Sequence, residues 1–369
     1  MLPSAYRTFS AVALAGTMVL LAGCGSDDAV RDSSAVPVPT DARCFSGNIS
    51  GAGSSAQENA MQTWVAGYQT ACEDTQVFYD SIGSGGGRSQ FIDGAVSFAG
   101  SDTPLDPEEN AEAAPRCEGS DAVNIPAYVV PIAVVFHLPG VDSLNLTPQT
   151  IARIFNQEIT HWNDPAIAES NPDTDLPDMR IAPVSRSDDS GTTENFSAYL
   201  KEAAGESWPH DVNDKWPLPP VEAAQGNSGV AEAVENGRGT IGYVENSHVG
   251  SMSTVNVGVG EEFVGISPEA AARIVSDSPK REGGNKHDHA LELDYGTTSA
   301  GTYPIVLVSY EIACLDYSDA DQARRLTSFL SYVISDEGQA AASQEAGSAP
   351  LPDDIQSDLQ STLEAISGS

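Results

Sequence analysis

Beyond residue 43 the chain alternates short apolar runs, glycine-rich turns and segments whose apolar residues recur every three or four positions. That alternation predicts α/β architecture, with strands feeding helices through tight turns. Asn48-Ile49-Ser50 leads into Gly51-Ala52-Gly53-Ser54-Ser55, and a helix follows with Ala60, Met61, Trp64, Val65 and Tyr68 on one face. Ser55 and Glu58 have capping-box spacing, which places Ser55 at or next to the helix start. Residues 76–79 read as a strand running into Gly83-Ser84-Gly85-Gly86-Gly87, after which a short helix holds Phe91 and Ile92. Residues 96–100 form another strand, ending at Ser101-Asp102.

The apolar stretch from Ile125 to Phe136 predicts a strand that leaves one domain and enters another. Helices are expected at 147–155 and 163–168, then a strand at 180–184. Arg186-Ser187-Asp188-Asp189-Ser190-Gly191-Thr192 comes next, before a helix carrying Phe196, Tyr199, Leu200 and Ala203. A loop at 205–228, a short helix at 228–234 and a strand at 240–244 follow. A long polar connection at 277–302 precedes a strong strand at 303–313 and helices near 320–335 and 353–366. No internal repeat of fixed period is visible.

The N-terminus has a different pattern. Arg7 is followed by an apolar run, Ala11 to Leu21, too short to span a bilayer comfortably. It ends in Leu21-Ala22-Gly23-Cys24, which resembles bacterial lipoprotein signals and implies cleavage before Cys24 and lipidation of its sulfur. Residues 1–23 are thus a signal peptide, and 24–43, rich in Ser, Asp, Pro and Ala, a lipidated flexible tether. Four cysteines remain: Cys44, Cys72, Cys117 and Cys314. An even number in an exported chain favours disulfides, with three connectivities open.

Charge narrows the function. The 53 acidic and 17 basic residues give a formal net charge of −36. Such a surface repels nucleic acid and reads as a solubility or salt adaptation. An anionic ligand would need local donors strong enough to overcome that field.

Three segments supply such donors: Gly53-Ser54-Ser55, Gly83-Ser84-Gly85 and Ser190-Gly191-Thr192. Each sets small hydroxyl and glycine residues where a strand meets the first turn of a helix, and unpaired N–H groups there favour an anion. Arg186 adds a planar fork suited to a tetrahedral oxyanion, and Asp188 is placed to hold it. Asp102 is the odd member. A carboxylate beside an anion is favourable only when the ligand brings a proton, which selects phosphate over sulfate. Composition alone favours a cap or turn role for it.

The motifs Gly51-Ala52-Gly53-Ser54-Ser55, Gly83-Ser84-Gly85-Gly86-Gly87, Phe98-Ala99-Gly100-Ser101-Asp102-Thr103-Pro104-Leu105, the Arg186–Thr192 segment, Gly226-Asn227-Ser228-Gly229 and Gly239-Thr240-Ile241-Gly242-Tyr243 occur in one order. Together they resemble the phosphate-binding proteins of phosphate-specific ABC transporters, over roughly residues 48 to 350. The resemblance implies a type II periplasmic-binding-protein clamshell, each lobe a mainly parallel sheet flanked by helices. Residues 44–127 with 303–369 would form lobe I, and 128–302 lobe II, which places all four body cysteines in lobe I, at the edge away from ligand. Carried over by position, phosphate contacts fall to Ser55, Ala56, Ser84, Asp102, Arg186, Ser190, Gly191 and Thr192, with Asp188 orienting Arg186. Ala56 departs from the aromatic residue frequent there, leaving a backbone donor. No cofactor or metal is implied. The implied partners are phosphate, transmembrane permease subunits and, through the lipid, the extracytoplasmic face of the cell membrane; the receptor would be a monomer.

Two other readings compete: a phosphatase-type enzyme, and a receptor for sulfate or molybdate. The chain has no G-x-S-x-G elbow and no histidine near the loops, which weighs against a hydrolase. His287-Asp288-His289 lies in the polar connection and reads as solvated surface rather than metal site.

Overall fold

The computed structural model describes residues 37–39, 42–276, 278–351 and 353–368. The signal segment, Cys24 and most of the tether lie outside the described residues. First in order come β1 (Gly47–Gly53), α1 (Glu58–Ala71), β2 (Thr75–Asp80), α2 (Ser84–Ile92), β3 (Phe98–Ser101) and α3 (Pro107–Ala113). Next are β4 (Ala122–His137), β5 (Ser143–Leu146), α4 (Pro148–Phe155), α5 (Pro165–Ser170), β6 (Ala182–Arg186) and α6 (Gly191–Ala204). Then follow β7 (Glu222–Ala224), α7 (Gly226–Asn236), β8 (Thr240–Glu245), β9 (Ser253–Val259), β10 (Glu262–Val264) and α8 (Pro268–Ser276). Last are β11 (Val306–Cys314), β12 (Asp316–Tyr317), α9 (Ala320–Val333), α10 (Asp336–Ala346), α11 (Asp353–Ala365) and β13 (Ser367–Gly368).

The main sheet runs β2-β1-β3-β11-β4-β8-β6-β7, with β9 also pairing to β4 and carrying β5 and β10. Its spine is β4. Every residue from Ala122 to Phe136 is buried, which is why the stretch reads as a continuous apolar run rather than an alternating one. From Ala122 to Pro131 it pairs with β11, and from Ile132 to His137 with β8. One strand thus pairs in both halves of the sheet. The parallel character expected of each half holds at β2-β1-β3 and β8-β6-β7. The long crossing strands differ: β11 is antiparallel to β3 and β4, and β4 to β8.

The expected elements do not include α3, α8, β5, β7, β9 and β10, and two further features escape the apolar pattern. The first is the start of α1, which lies at Glu58, with Gln57 as its cap residue rather than Ser55. The Ser54 hydroxyl accepts the Ala56 and Gln57 N–H groups at 3.0 and 3.3 Å, so Ser54 supports that turn and Ser55 does not. The second is α10, whose buried face is built from Gly338, Gln339, Ala341, Ala342 and Ala346. Small residues leave no apolar stripe to detect.

Disulfides join Cys44 to Cys72 and Cys117 to Cys314, with Cα–Cα distances of 5.2 and 5.1 Å. Cys72 follows the last residue of α1, about 20 Å of helix from the Ser54 turn. Cys314 ends β11, at the margin where that strand pairs with Ala122. No helix among the described residues is long and apolar enough to cross a membrane.

Candidate anion-binding site

The glycine–serine turns converge because glycines let their backbones touch. At Gly53 φ is +142°, and a Cβ would stand 1.9 Å from the Gly100 carbonyl oxygen, so β1 and β3 pack closely only with glycine there. At Gly191 a Cβ would stand 2.4 Å from Ser84 Oγ and 2.7 Å from Asp102 Cβ. The N-terminus of α6 is thereby seated directly against the Ser84 turn and Asp102.

Asp102 lies at the centre, 3% exposed. Its Oδ1 accepts the hydroxyls of Ser54 at 2.5 Å and Ser309 at 2.8 Å, and its Oδ2 accepts Ser84 Oγ at 3.3 Å. The Asp102 N–H donates back to Ser84 Oγ at 3.1 Å. The Asn195 amide nitrogen ties the Asp102 and Gly191 carbonyls together, each at 2.8 Å. Burial raises the carboxyl above its ordinary pKa, and the hydroxyls of Ser54, Ser309 and Ser84, with the charge of Arg186, pull it only part of the way back. A proton on this carboxyl is therefore stabilised relative to an ordinary aspartate.

Arg186 closes the other side. Its Nε donates to Asp188 Oδ1 at 2.9 Å and its Nη2 to Asp188 Oδ2, a bidentate pair. The same Nη2 donates to Ser55 Oγ at 3.0 Å. Its Nη1 is buried and has no hydrogen-bond partner among the described residues. Burial works against ionisation of Asp188, but the hydrogen bonds and charge of Arg186 bring its pKa below the ordinary value. Asp188 Oδ1 also accepts the Gly226 N–H at 3.1 Å, which anchors the pair to the start of α7. Ser55 Oγ accepts the Asn227 N–H and side-chain amide, both at 3.1 Å, and that amide also reaches Thr192 Oγ1 at 3.2 Å.

The structure thus brings together Ser55, Ser84, Asp102, Arg186, Ser190, Gly191 and Thr192, all of them buried, with Asp188 beside Arg186. Two expected backbone donors are committed elsewhere. The Ala56 N–H goes to Ser54 Oγ, and the Ser190 N–H to the Asp214 carbonyl at 2.9 Å. The Ser190 hydroxyl caps α6 by accepting the Thr193 N–H at 3.1 Å, which leaves its own proton to donate. The sequence points to neither Ser309 nor Asn195, and it gives Ser54 and Asn227 no role of their own although both lie in the glycine–serine motifs. Ser309, inside a strand, has no local signature at all.

Hydroxyls, a helix start, a guanidinium nitrogen and a proton-stabilising carboxyl are the groups that a protonated tetrahedral oxyanion requires. No cluster of metal-ligating side chains occurs among the described residues.

Residues 38–337 match the model of the PBP superfamily domain. The chain is 37% identical to the phosphate-binding protein PstS 3 of Mycobacterium tuberculosis, over 96% of each sequence. It is also 37% identical to PstS 2 of the same organism, covering 98% of this chain and 99% of that one. Among solved structures, a high affinity periplasmic phosphate-binding protein (PfluDING) bound with phosphate superposes with a TM-score of 0.71 at 21% identity, covering 85% of this chain and 93% of the other.

Proposed function

The chain belongs to the phosphate-binding protein family of the PBP superfamily, and from that premise we propose that it is an extracytoplasmic receptor that binds inorganic phosphate between two lobes and delivers it to an ABC importer. The observation that carries this reading is the buried Arg186 Nη1 without a partner, set beside a carboxyl whose environment stabilises a proton. A buried guanidinium nitrogen left unpaired is costly, and an oxyanion supplies its missing acceptor. In this reading Arg186 pairs with phosphate while Asp188 holds it in place. Ser55, Ser84, Ser190 and Thr192 donate hydroxyl protons, and Gly191 and Thr192 add the N–H groups of the α6 start. Asp102 and the ligand share a proton.

Lobe I would comprise 44–127 and 303–369, and lobe II 128–302, with β4 and β11 as the strands that cross or approach the boundary. Residues 1–23 would direct export, and Cys24 would carry the lipid that holds a monomeric receptor at the outer face of the cell membrane, within reach of its permease. The relatives named as phosphate-binding proteins support a receptor rather than an enzyme.

Calorimetric titration with phosphate tests the assignment when wild type is run beside Arg186→Ala. One phosphate per chain is expected, with a loss of about 2–5 kcal/mol in the variant. Wild-type affinity in a folded variant would remove Arg186 from the site.

A further inference from the structure

Arg88, the second cation near the glycine–serine turns, has a different job from Arg186. It sits on α2 one turn beyond Ser84 and is 7% exposed. Its Nε donates to Glu109 Oε1 at 2.8 Å, and its Nη1 to Ser101 Oγ at 3.2 Å and Thr103 Oγ1 at 2.9 Å. Its Nη2 donates to Asp214 Oδ2 at 3.2 Å. Each of its nitrogens is thus engaged by protein, and none is left for a ligand.

The partners divide between the proposed lobes. Glu109, Ser101 and Thr103 belong to 44–127, and Asp214 to 128–302. Asp214 is also bonded to the anion turn itself, since its carbonyl accepts the Ser190 N–H at 2.9 Å. A second link runs alongside, from Thr103 Oγ1 to Glu194 Oε2 at 3.0 Å. Gly85, next to Ser84, donates its N–H to the Asp189 carbonyl at 3.0 Å. A Cβ on Gly85 would stand 2.7 Å from both Asp189 Cβ and Asp214 Oδ2, so the approach requires glycine. Burial works against the charge of Arg88, but three carboxylates, Glu109, Glu194 and Asp214, outweigh it and raise the pKa of the one guanidinium between them. In a chain of net charge −36, bringing those carboxylates together without Arg88 would be repulsive.

We propose that Arg88 is a retention residue: it ties the Ser84 helix to the Asp214–Ser190 segment only when the lobes are closed, and so slows the release of phosphate. This rests on the phosphate-receptor reading above. An interaction made in the closed state alone acts on the release rate and leaves the encounter rate nearly unchanged.

Stopped-flow measurement of phosphate association and release on the intact protein tests it, with Arg88→Gln, Asp214→Asn, their combination, and Gly85→Ala. Release is expected to speed up on the order of 10- to 100-fold in Arg88→Gln. Asp214→Asn should speed it in the same direction, and the double variant should exceed the faster single by no more than about threefold, because both remove one link. Association should stay within about threefold of wild type. Gly85→Ala, which leaves every Arg88 donor in place, should also speed release, and it keeps the test open if Arg88→Gln does not fold. Unchanged release in the folded variants, additive effects, or slowed association with unchanged release would each overturn the proposal. A wild-type protein that binds no phosphate would overturn the receptor reading and this proposal with it.

Discussion

At the scale of single residues, carboxylates decide most of what this protein does, and pairing decides their charge. His248 gives the clearest titration. It lies on the turn after β8, with Nδ1 3.1 Å from Glu245 Oε2 and Nε2 4.0 Å from Glu58 Oε2 on α1. Burial opposes its protonation, but hydrogen bonds and charge from Glu245 and Glu58 outweigh that and raise its pKa from 6.5 to about 9. The folded state therefore holds this proton more tightly than the unfolded chain does. The resulting stability is fully present below pH 6.5 and is lost as pH rises through about 9. Its size is on the order of 3 kcal/mol at most. Denaturant unfolding at pH 6.5 and pH 9 should show that loss in wild type and a much smaller one in His248→Asn. An equal loss in both proteins would place the pH dependence elsewhere.

At the scale of elements, β1, β2, β3, β4, β6, β8 and β11 and the three turns are legible because their signals are local, while the shorter strands and β9 are not. A buried-through strand reads as an apolar run, and Gly-Ser-Ser or Ser-Gly-Thr before a helix announces an N-terminus. What stayed hidden is non-local. Ser309 reaches Asp102 across 207 positions of chain, and α10 packs through alanine and glycine. The start of α1 reads ambiguously because Ser54 and Ser55 are chemically identical; the cap residue is Gln57, and the turn before it, not the sequence, decides that the Ser54 hydroxyl faces the N–H groups. The pairing of four cysteines was likewise open in the sequence. The Cys117–Cys314 disulfide closes a separation of 197 residues and ties the end of β11 to the segment after α3. Replacing both cysteines by serine should cost about 2–5 kcal/mol in reversible unfolding. Phosphate affinity should remain within about threefold, because the bond lies at the far end of β11 from Ser309. A large loss of affinity in the folded variant would show that the margin of this sheet is coupled to the site.

At the scale of the whole molecule, a chain of net charge −36 holds an anion by concentrating its few useful cations where they are buried and oriented. In the proposed reading Arg186 pairs with the anion and Arg88 ties together the segments around it, while the remaining surface contributes an unfavourable field. Selectivity cannot come from that field, which repels phosphate and sulfate alike. In the proposed reading it comes from Asp102, which is buried, ringed by the hydroxyls of Ser54, Ser309 and Ser84, and shares a proton with the ligand. A site built around a ligand's proton rejects the analogue lacking it by roughly 10⁴-fold. The most direct measurement is competition on the purified protein near neutral pH, with bound phosphate challenged by arsenate and by sulfate. Arsenate should displace phosphate, and sulfate, even in large excess, should not. Displacement by sulfate at concentrations comparable to arsenate would contradict the role given to Asp102.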